Sequence, residues 1–105
     1  MENDEINTYI KYLYTLRSSY SFLNSYAWRM TELNKNLDDA LIKIDEALIL
    51  IDNTIPQYPN ILDTKAEILW KLGHSDKAIK IIQEAIDIDP SSEYYKAQRE
   101  KFLNS

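Results

Sequence analysis

The side chains that could perform chemistry in this chain are few and scattered. The single histidine, His74, follows the single glycine, Gly73, and the sequence around it supplies neither a nucleophile nor further metal ligands. A histidine base needs a nucleophile to activate, and a metal site needs several ligands. We therefore expect His74 to be a solvent-exposed turn residue.

Carboxylates recur on two stretches of the chain. Their positions are Asp38, Asp39, Asp45 and Glu46, followed by Glu84, Asp87 and Asp89. Paired carboxylates could act as a general acid and a general base. Here, however, they recur with helical spacing beside lysines, which is typical of a solvated helix face.

Composition argues against most catalytic and nucleic-acid functions. The chain has no cysteine, which removes disulfides, thiolate zinc sites and thiol nucleophiles. It has one glycine, so it cannot build a phosphate-cradling loop, and neither GxxxxGK[ST] nor GxGxxG occurs. The net charge of −5, from 17 acidic and 12 basic residues, argues against a phosphate-binding surface. The sequence thus predicts a protein that is not an enzyme, uses no cofactor and binds no nucleic acid.

The hydropathy pattern predicts no membrane segment. No apolar run approaches the roughly 20 residues needed to span a bilayer. The acidic N-terminal stretch MENDEIN lacks the basic-then-apolar pattern of a signal peptide. We expect a cytoplasmic location, and this expectation would fail if the chain were a fragment of a longer protein.

Scarce helix breakers divide the chain into helices. The 105 residues include one glycine and three prolines. Pro56, Pro59, Gly73 and Pro90 all fall where predicted helices begin or end. The predicted helices cover residues 4–18, 22–34, 37–52, 61–72, 76–87 and 92–103. We therefore predict a single all-α domain of about six helices.

Two pairs of alanines repeat along the chain. Ala40 and Ala47 are seven residues apart, as are Ala78 and Ala85, and the second pair follows the first by 38 residues. Residues seven apart lie on one stripe of a helix, where alanine lets a neighbouring helix come close. Such self-similarity indicates stacked helical repeats. The apolar residues expected to face neighbouring helices are Ile42, Ile44, Leu48, Ile51, Ile79, Ile82, Ile86 and Ile88.

The second copy of this pattern resembles the tetratricopeptide repeat. It covers residues 59–92, which is the 34-residue length of that repeat. The matching positions are Leu62, Ala66 and Leu69 on the first helix, Gly73 at the turn, Ala78, Ile82 and Ala85 on the second helix, and the closing Pro90. Lys65 departs from the family pattern, which prefers leucine there.

The first copy, residues 20–53, is more degenerate. It keeps Ala27, Trp28 and Met30 on its first helix, and Ala40, Ile44 and Ala47 on its second. It lacks the turn glycine, where Lys35 and Asn36 stand, and the closing proline, where Asp52 stands. The resemblance implies an α-solenoid of antiparallel helix hairpins: an N-terminal helix over residues 1–19, the two repeats, and a C-terminal capping helix over residues 92–105. The sequence is also similar to tetratricopeptide tails of larger bacterial proteins.

The resemblance implies a protein-interaction module that binds a peptide or a partner protein in a concave groove. The implied groove residues are Ser25, Arg29 and Glu32 from the first copy, and Asp63, Glu67, Trp70 and Lys71 from the second. Trp70 has two interpretations, an exposed anchor for a partner or a residue buried under the last helix. Arg29 could pair with a partner's carboxylate or with Glu32 or Glu67 of this chain.

One subclass of the family grips a C-terminal carboxylate with a clamp of basic and amide residues. The matching positions here are Ser25, Asp63 and Glu67. Two of them are acidic and would repel a carboxylate. We therefore expect a protein or peptide partner that is neutral, apolar or basic, and not acidic-tailed.

The tyrosines favour a second hypothesis. Eight occur in the chain, and five of them lie within its first 26 residues. Tyrosine is enriched at interfaces, and Tyr9, Tyr12 and Tyr14 do not share one helix stripe. The N-terminal helix could therefore form a homodimer, contact a preceding domain of a larger protein, or add capping contacts within one monomer.

Overall fold

A computed structural model of the chain describes residues 5–6 and 20–104. Residues 20–104 form the five helices α1 (Tyr20–Leu33), α2 (Leu37–Leu50), α3 (Tyr58–Lys71), α4 (Ser75–Ile88) and α5 (Glu93–Leu103). Glu5 and Ile6 are also helical, and the rest of the first predicted helix lies outside the described residues. Within the described ranges the fold is all-helical, with no strand.

The predicted bounds of the five helices lie within three residues of the observed ones, and the largest difference is at the start of α3. Gln57 occupies the N-cap position and Pro59 lies in the first turn. The first turn tolerates proline because its amide nitrogens have no partner within the helix.

Gly73 lies at the predicted turn and ends α3 in a left-handed conformation, with φ of +89°. Its amide donates to the Trp70 carbonyl at 3.0 Å, and the amide of His74 donates to the Leu69 carbonyl at 2.8 Å. These two bonds form the Schellman motif, which satisfies carbonyls that the helix end would leave free. His74 itself is exposed, which confirms its predicted position in the turn.

The end of α1 repeats this motif without a glycine. The amide of Asn34 donates to the Thr31 carbonyl at 3.2 Å, and the amide of Lys35 donates to the Met30 carbonyl at 3.1 Å. Asn34 takes the left-handed conformation, with φ of 55°. Asparagine tolerates this region better than most residues. The residue that replaces the turn glycine in the first copy is thus Asn34, and its predicted placement at Lys35 and Asn36 is wrong.

Replacement of Gly73 by alanine is expected to lower the free energy of unfolding by about 1–2 kcal/mol, because a Cβ disfavours the left-handed conformation. An added Cβ would meet no heavy atom within 4 Å, so the loss would come from the backbone. Asn34→Gly, at the equivalent position, should leave stability unchanged within about 0.5 kcal/mol. Chemical denaturation measures both variants, and equal stability of Gly73→Ala and the parent chain would contradict this assignment.

Helix α3 is the centre of the arrangement. Consecutive helices pack against one another, and α3 also contacts α1 and α5. Helices α1, α3 and α5 therefore lie side by side. Helix α2 packs against α1 and α3, and α4 packs against α3 and α5.

The four repeated alanines are fully buried, in two core clusters. The first cluster consists of Leu23, Tyr26, Ala27, Met30, Ala40, Ile44, Ala47, Ile61 and Ile68. The second consists of Leu62, Ala66, Leu69, Ala78, Ile82, Ala85 and Phe102. Helix α3 contributes to both clusters, because it is covered by helices on two faces.

Two isoleucines that were expected to face neighbouring helices are exposed. Ile42 is 56% exposed and Ile88 is 44% exposed. Ile42 lies two residues from both Ala40 and Ile44, so about 200° of helical rotation separates it from that buried stripe. The prediction is wrong for Ile42 because α2 contacts α1 and α3 through the alanine stripe. Ile88 is the last residue of α4.

Two carboxylates on the predicted solvated faces are partly exposed, as expected, and also join helices. The Tyr26 hydroxyl on α1 donates to Asp39 Oδ2 on α2 at 2.5 Å, and burial together with this bond raises the pKa of Tyr26. Lys65 on α3 forms an ion pair with Asp45 on α2 at 2.8 Å. The exposed positions predicted for Asp38, Glu84 and Asp87 are confirmed.

Candidate functional site

An open groove of about 430 Å³ lies between α1, α3 and the start of α5. We call it the α1–α3 groove. Its lining residues are Asn24, Ser25, Trp28, Arg29, Glu32, Asn60, Asp63, Thr64 and Tyr94. Four of the seven predicted groove residues, Ser25, Arg29, Glu32 and Asp63, are therefore brought together here.

Helix α1 forms one wall of the groove. Ser25, Arg29 and Glu32 share a helix face because they are spaced by four and three residues. Arg29 Nε donates to Glu5 Oε1 at 2.7 Å, and its Nη1 lies 3.4 Å from Glu32 Oε1. The bond from Arg29 lowers the pKa of Glu5. The cation on this wall is thus paired within the chain, with Glu32 as predicted and with Glu5, but not with Glu67.

Helix α3 places a buried carboxylate in the opposite wall. Asp63 is 2% exposed, and its Oδ1 accepts a hydrogen bond from Gln98 Nε2 on α5 at 3.0 Å. Burial raises the pKa of Asp63 to about 6, and the negative charge of Glu67 adds to this rise. Gln98, Lys101 and the Tyr94 hydroxyl act in the opposite direction. Asp63 is therefore a carboxyl group whose ionisation is disfavoured by its surroundings.

Glu67 lies beneath α5 and does not line the groove. Its Oε1 accepts from Lys101 Nζ at 2.7 Å and from Gln98 Nε2 at 3.0 Å, and both donors belong to α5. The amide of Gln98 thus bridges Glu67 and Asp63. The charge of Glu67 is compensated within the chain by Lys101.

Trp70 also contacts α5. Its ring centroid lies 5.6 Å from that of Phe102, and Lys101 Nζ lies 4.5 Å from the Trp70 centroid, within cation–π range. Trp70 is half-buried, so it packs against the last helix and also keeps exposed surface, and both of its interpretations stay open. Lys71 lies outside the groove too, and its Nζ donates to the Thr31 carbonyl at 2.6 Å.

Five groove residues were not predicted from the sequence. They are Asn24, Trp28, Asn60, Thr64 and Tyr94. Trp28 could have been found, since it lies three residues after Ser25 and therefore on a neighbouring face of α1. Tyr94 could not, because its position depends on how α5 packs against α3.

The other predicted features are only partly covered by the structure. The candidate self-association residues Tyr9, Tyr12 and Tyr14 lie outside the described residues, so the homodimer stays a prediction.

Within residues 5–6 and 20–104, no group of three or more His, Cys, Asp or Glu side chains could hold a metal ion. None of the helices in the described ranges has the length and apolar character required to cross a bilayer.

Comparison with protein-family models gives no match, and comparison with curated proteins gives none either.

Proposed function

We propose that this protein is a protein-interaction module that binds a peptide or a partner protein in the α1–α3 groove. The observation that carries the proposal is the meeting of Ser25, Arg29, Glu32 and Asp63 around one open groove. The volume of about 430 Å³ lies within the range of typical binding pockets.

The arrangement of the helices supports a tetratricopeptide-like solenoid as the scaffold of this module. Six family positions lie in one core cluster: Leu62, Ala66, Leu69, Ala78, Ile82 and Ala85. Gly73 forms the turn between α3 and α4. In the proposed solenoid, α1, α3 and α5 are the groove-lining helices, and α5 caps the second repeat.

The charges of the groove support a partner without an acidic tail. Asp63 and Glu32 carry the negative charges of the lining, and the positive charge of Arg29 is paired with Glu5 and Glu32. A carboxylate entering the groove would meet the Asp63 carboxylate, and the part of the lining that the structure describes offers no unpaired cation to receive it. A cytoplasmic location is part of the proposal.

The proposal is tested by selecting random displayed peptides on the immobilised protein and measuring the affinity of the enriched sequences. Ser25→Trp would fill the groove from an exposed position, and Ser91→Trp, in the exposed turn before α5, is the matched control. We expect Ser25→Trp to weaken binding at least tenfold, because a hot spot at a binding site is worth about 1.4 kcal/mol or more. The control should bind like the parent chain.

A second measurement tests whether an acidic C-terminal tail weakens peptide binding. Each enriched peptide is compared with a version that carries additional C-terminal aspartates. We expect the acidic version to bind more weakly. Peptides that bind the Ser25→Trp variant and the parent chain equally well would contradict the groove as the binding site.

A further inference from the structure

Asp63 carries a negative charge that no cation within residues 5–6 and 20–104 neutralises directly. Among the described residues, no lysine or arginine forms an ion pair with it, and its hydrogen bonds come from two uncharged groups, the amide of Gln98 and the hydroxyl of Tyr94. Arg29 in the groove lining and Lys101 on α5 have other partners: Arg29 pairs with Glu5 and Glu32, and Lys101 pairs with Glu67. A buried carboxylate is normally paired, because burial without compensation is costly.

Aromatic side chains line the groove together with this carboxylate. Trp28 on α1 is half-buried, and Tyr94 on α5 is 52% exposed. The faces of such rings attract ammonium and guanidinium groups. A carboxylate next to aromatic rings therefore favours an organic cation over a neutral or anionic group.

The remaining lining is polar and uncharged, which suits a peptide backbone. Asn24, Ser25, Asn60 and Thr64 can donate and accept hydrogen bonds. The Oδ1 atom of Asn24 is buried and has no hydrogen-bond partner among the described residues.

We propose that the α1–α3 groove binds a lysine or arginine side chain of the partner peptide, with the cationic group on the Asp63 carboxylate and against the rings of Trp28 and Tyr94. This inference rests on the proposed function and specifies its recognition chemistry. A peptide side chain is favoured over a free polyamine because the groove is open and its polar residues match backbone amides.

Binding of a cation to Asp63 would be coupled to pH. The charged and titratable groups around this carboxyl, among the described residues, are Glu67 on α3, Arg29 and Glu32 on α1, and Tyr94, Tyr95 and Lys101 on α5. Because the pKa of Asp63 is raised to about 6, its carboxyl is largely protonated at pH 5 and must lose this proton to bind a cation. Affinity is therefore expected to fall about tenfold from pH 7 to pH 5.

The test uses the peptides enriched by selection and compares two isosteric variants. Asp63→Asn removes the groove carboxylate, and Asp87→Asn removes an exposed one on α4 with the same change in net charge. Each peptide that contains lysine is also synthesised with norleucine in its place, which keeps the aliphatic chain and removes the ammonium. Isothermal titration calorimetry measures the affinity of each peptide for the parent chain and for each variant. Circular dichroism verifies the helical content of each variant.

We expect lysine or arginine to be enriched, and the norleucine peptide to bind the parent chain at least tenfold more weakly. Asp63→Asn should weaken binding of the lysine peptide by a similar factor, whereas Asp87→Asn should not. Groove-dependent peptides whose affinity is unchanged by norleucine or by Asp63→Asn would overturn the inference and leave the proposed function intact. If no groove-dependent peptide is selected, both fail. Tighter binding of spermidine than of every lysine peptide would overturn the assignment to a peptide side chain.

Discussion

Replacement of Phe102 by alanine is expected to lower the free energy of unfolding by about 3–5 kcal/mol, the usual cost of removing a buried aromatic side chain. Phe102 is 1% exposed and is the residue of α5 in the second core cluster, where it packs against Trp70. Its loss would leave a cavity between α5 and α3. A single domain of this size is stable by only about 5–15 kcal/mol, so the effect would be large.

The neighbouring leucine provides a matched control. Leu103 belongs to the same helix and is 47% exposed, so Leu103→Ala should cost about 1 kcal/mol or less. Urea denaturation followed by circular dichroism measures both variants. Equal losses for the two substitutions would mean that α5 is not docked through Phe102.

Asp63→Asn is expected to stabilise the protein near neutral pH, by up to about 3 kcal/mol. The pKa of Asp63 is about 6 in the folded protein against an ordinary value of 3.8, a difference of about two pH units at 1.36 kcal/mol each. The charged form is therefore disfavoured by folding. Asparagine retains the oxygen that accepts from Gln98 and removes the charge.

The sign of the pH dependence separates this effect from ordinary acid denaturation. Because its pKa is raised by folding, Asp63 destabilises the folded protein fully above pH 6. The penalty decreases as the pH falls from about 6 to 4 and the carboxyl takes up its proton. The stability advantage of Asp63→Asn should therefore shrink over this range, while Asp87→Asn should show no such trend. Denaturation curves at several pH values measure it, and a constant difference would contradict the raised pKa.

A stabilising substitution at Asp63 would also bear on function. A carboxylate that costs stability in the free protein is typical of a site that is completed by a ligand. We therefore expect Asp63→Asn to be the more stable variant and the weaker binder. Loss of both stability and binding would instead indicate that Asp63 serves the fold through Gln98.

The helices and their turns could be predicted because their signals are local. The spacing of Ala40 and Ala47 follows from the helical period, and these residues are buried as expected. Gly73 is in a left-handed conformation, which glycine tolerates best. The turn between α1 and α2 was harder to predict, because Asn34 replaces glycine there and asparagine also occurs in many other contexts.

The groove was predicted in part. Ser25, Arg29, Glu32 and Asp63 meet because α1 and α3 lie side by side. Their relative placement followed from the repeat resemblance and the spacing of the residues on each helix. Glu67 and Trp70 have the matching spacing on α3, but Glu67 is buried under α5 and the half-buried Trp70 packs against it.

The sequence by itself determined the helical fold class, the helix bounds to within a few residues and the buried alanine stripes, since these depend on contacts within one or two helical turns. Only the tertiary structure decided that the Glu67 carboxylate pairs with a cation and that the Asp63 carboxylate lines the groove. Gln98 and Asp63 are 35 residues apart, and Lys101 and Glu67 are 34 apart. On α5, the cation of Lys101 pairs with Glu67, and the uncharged amide of Gln98 bonds to Asp63. Helical periodicity in the sequence cannot predict this pairing, because it depends on how α5 packs against α3.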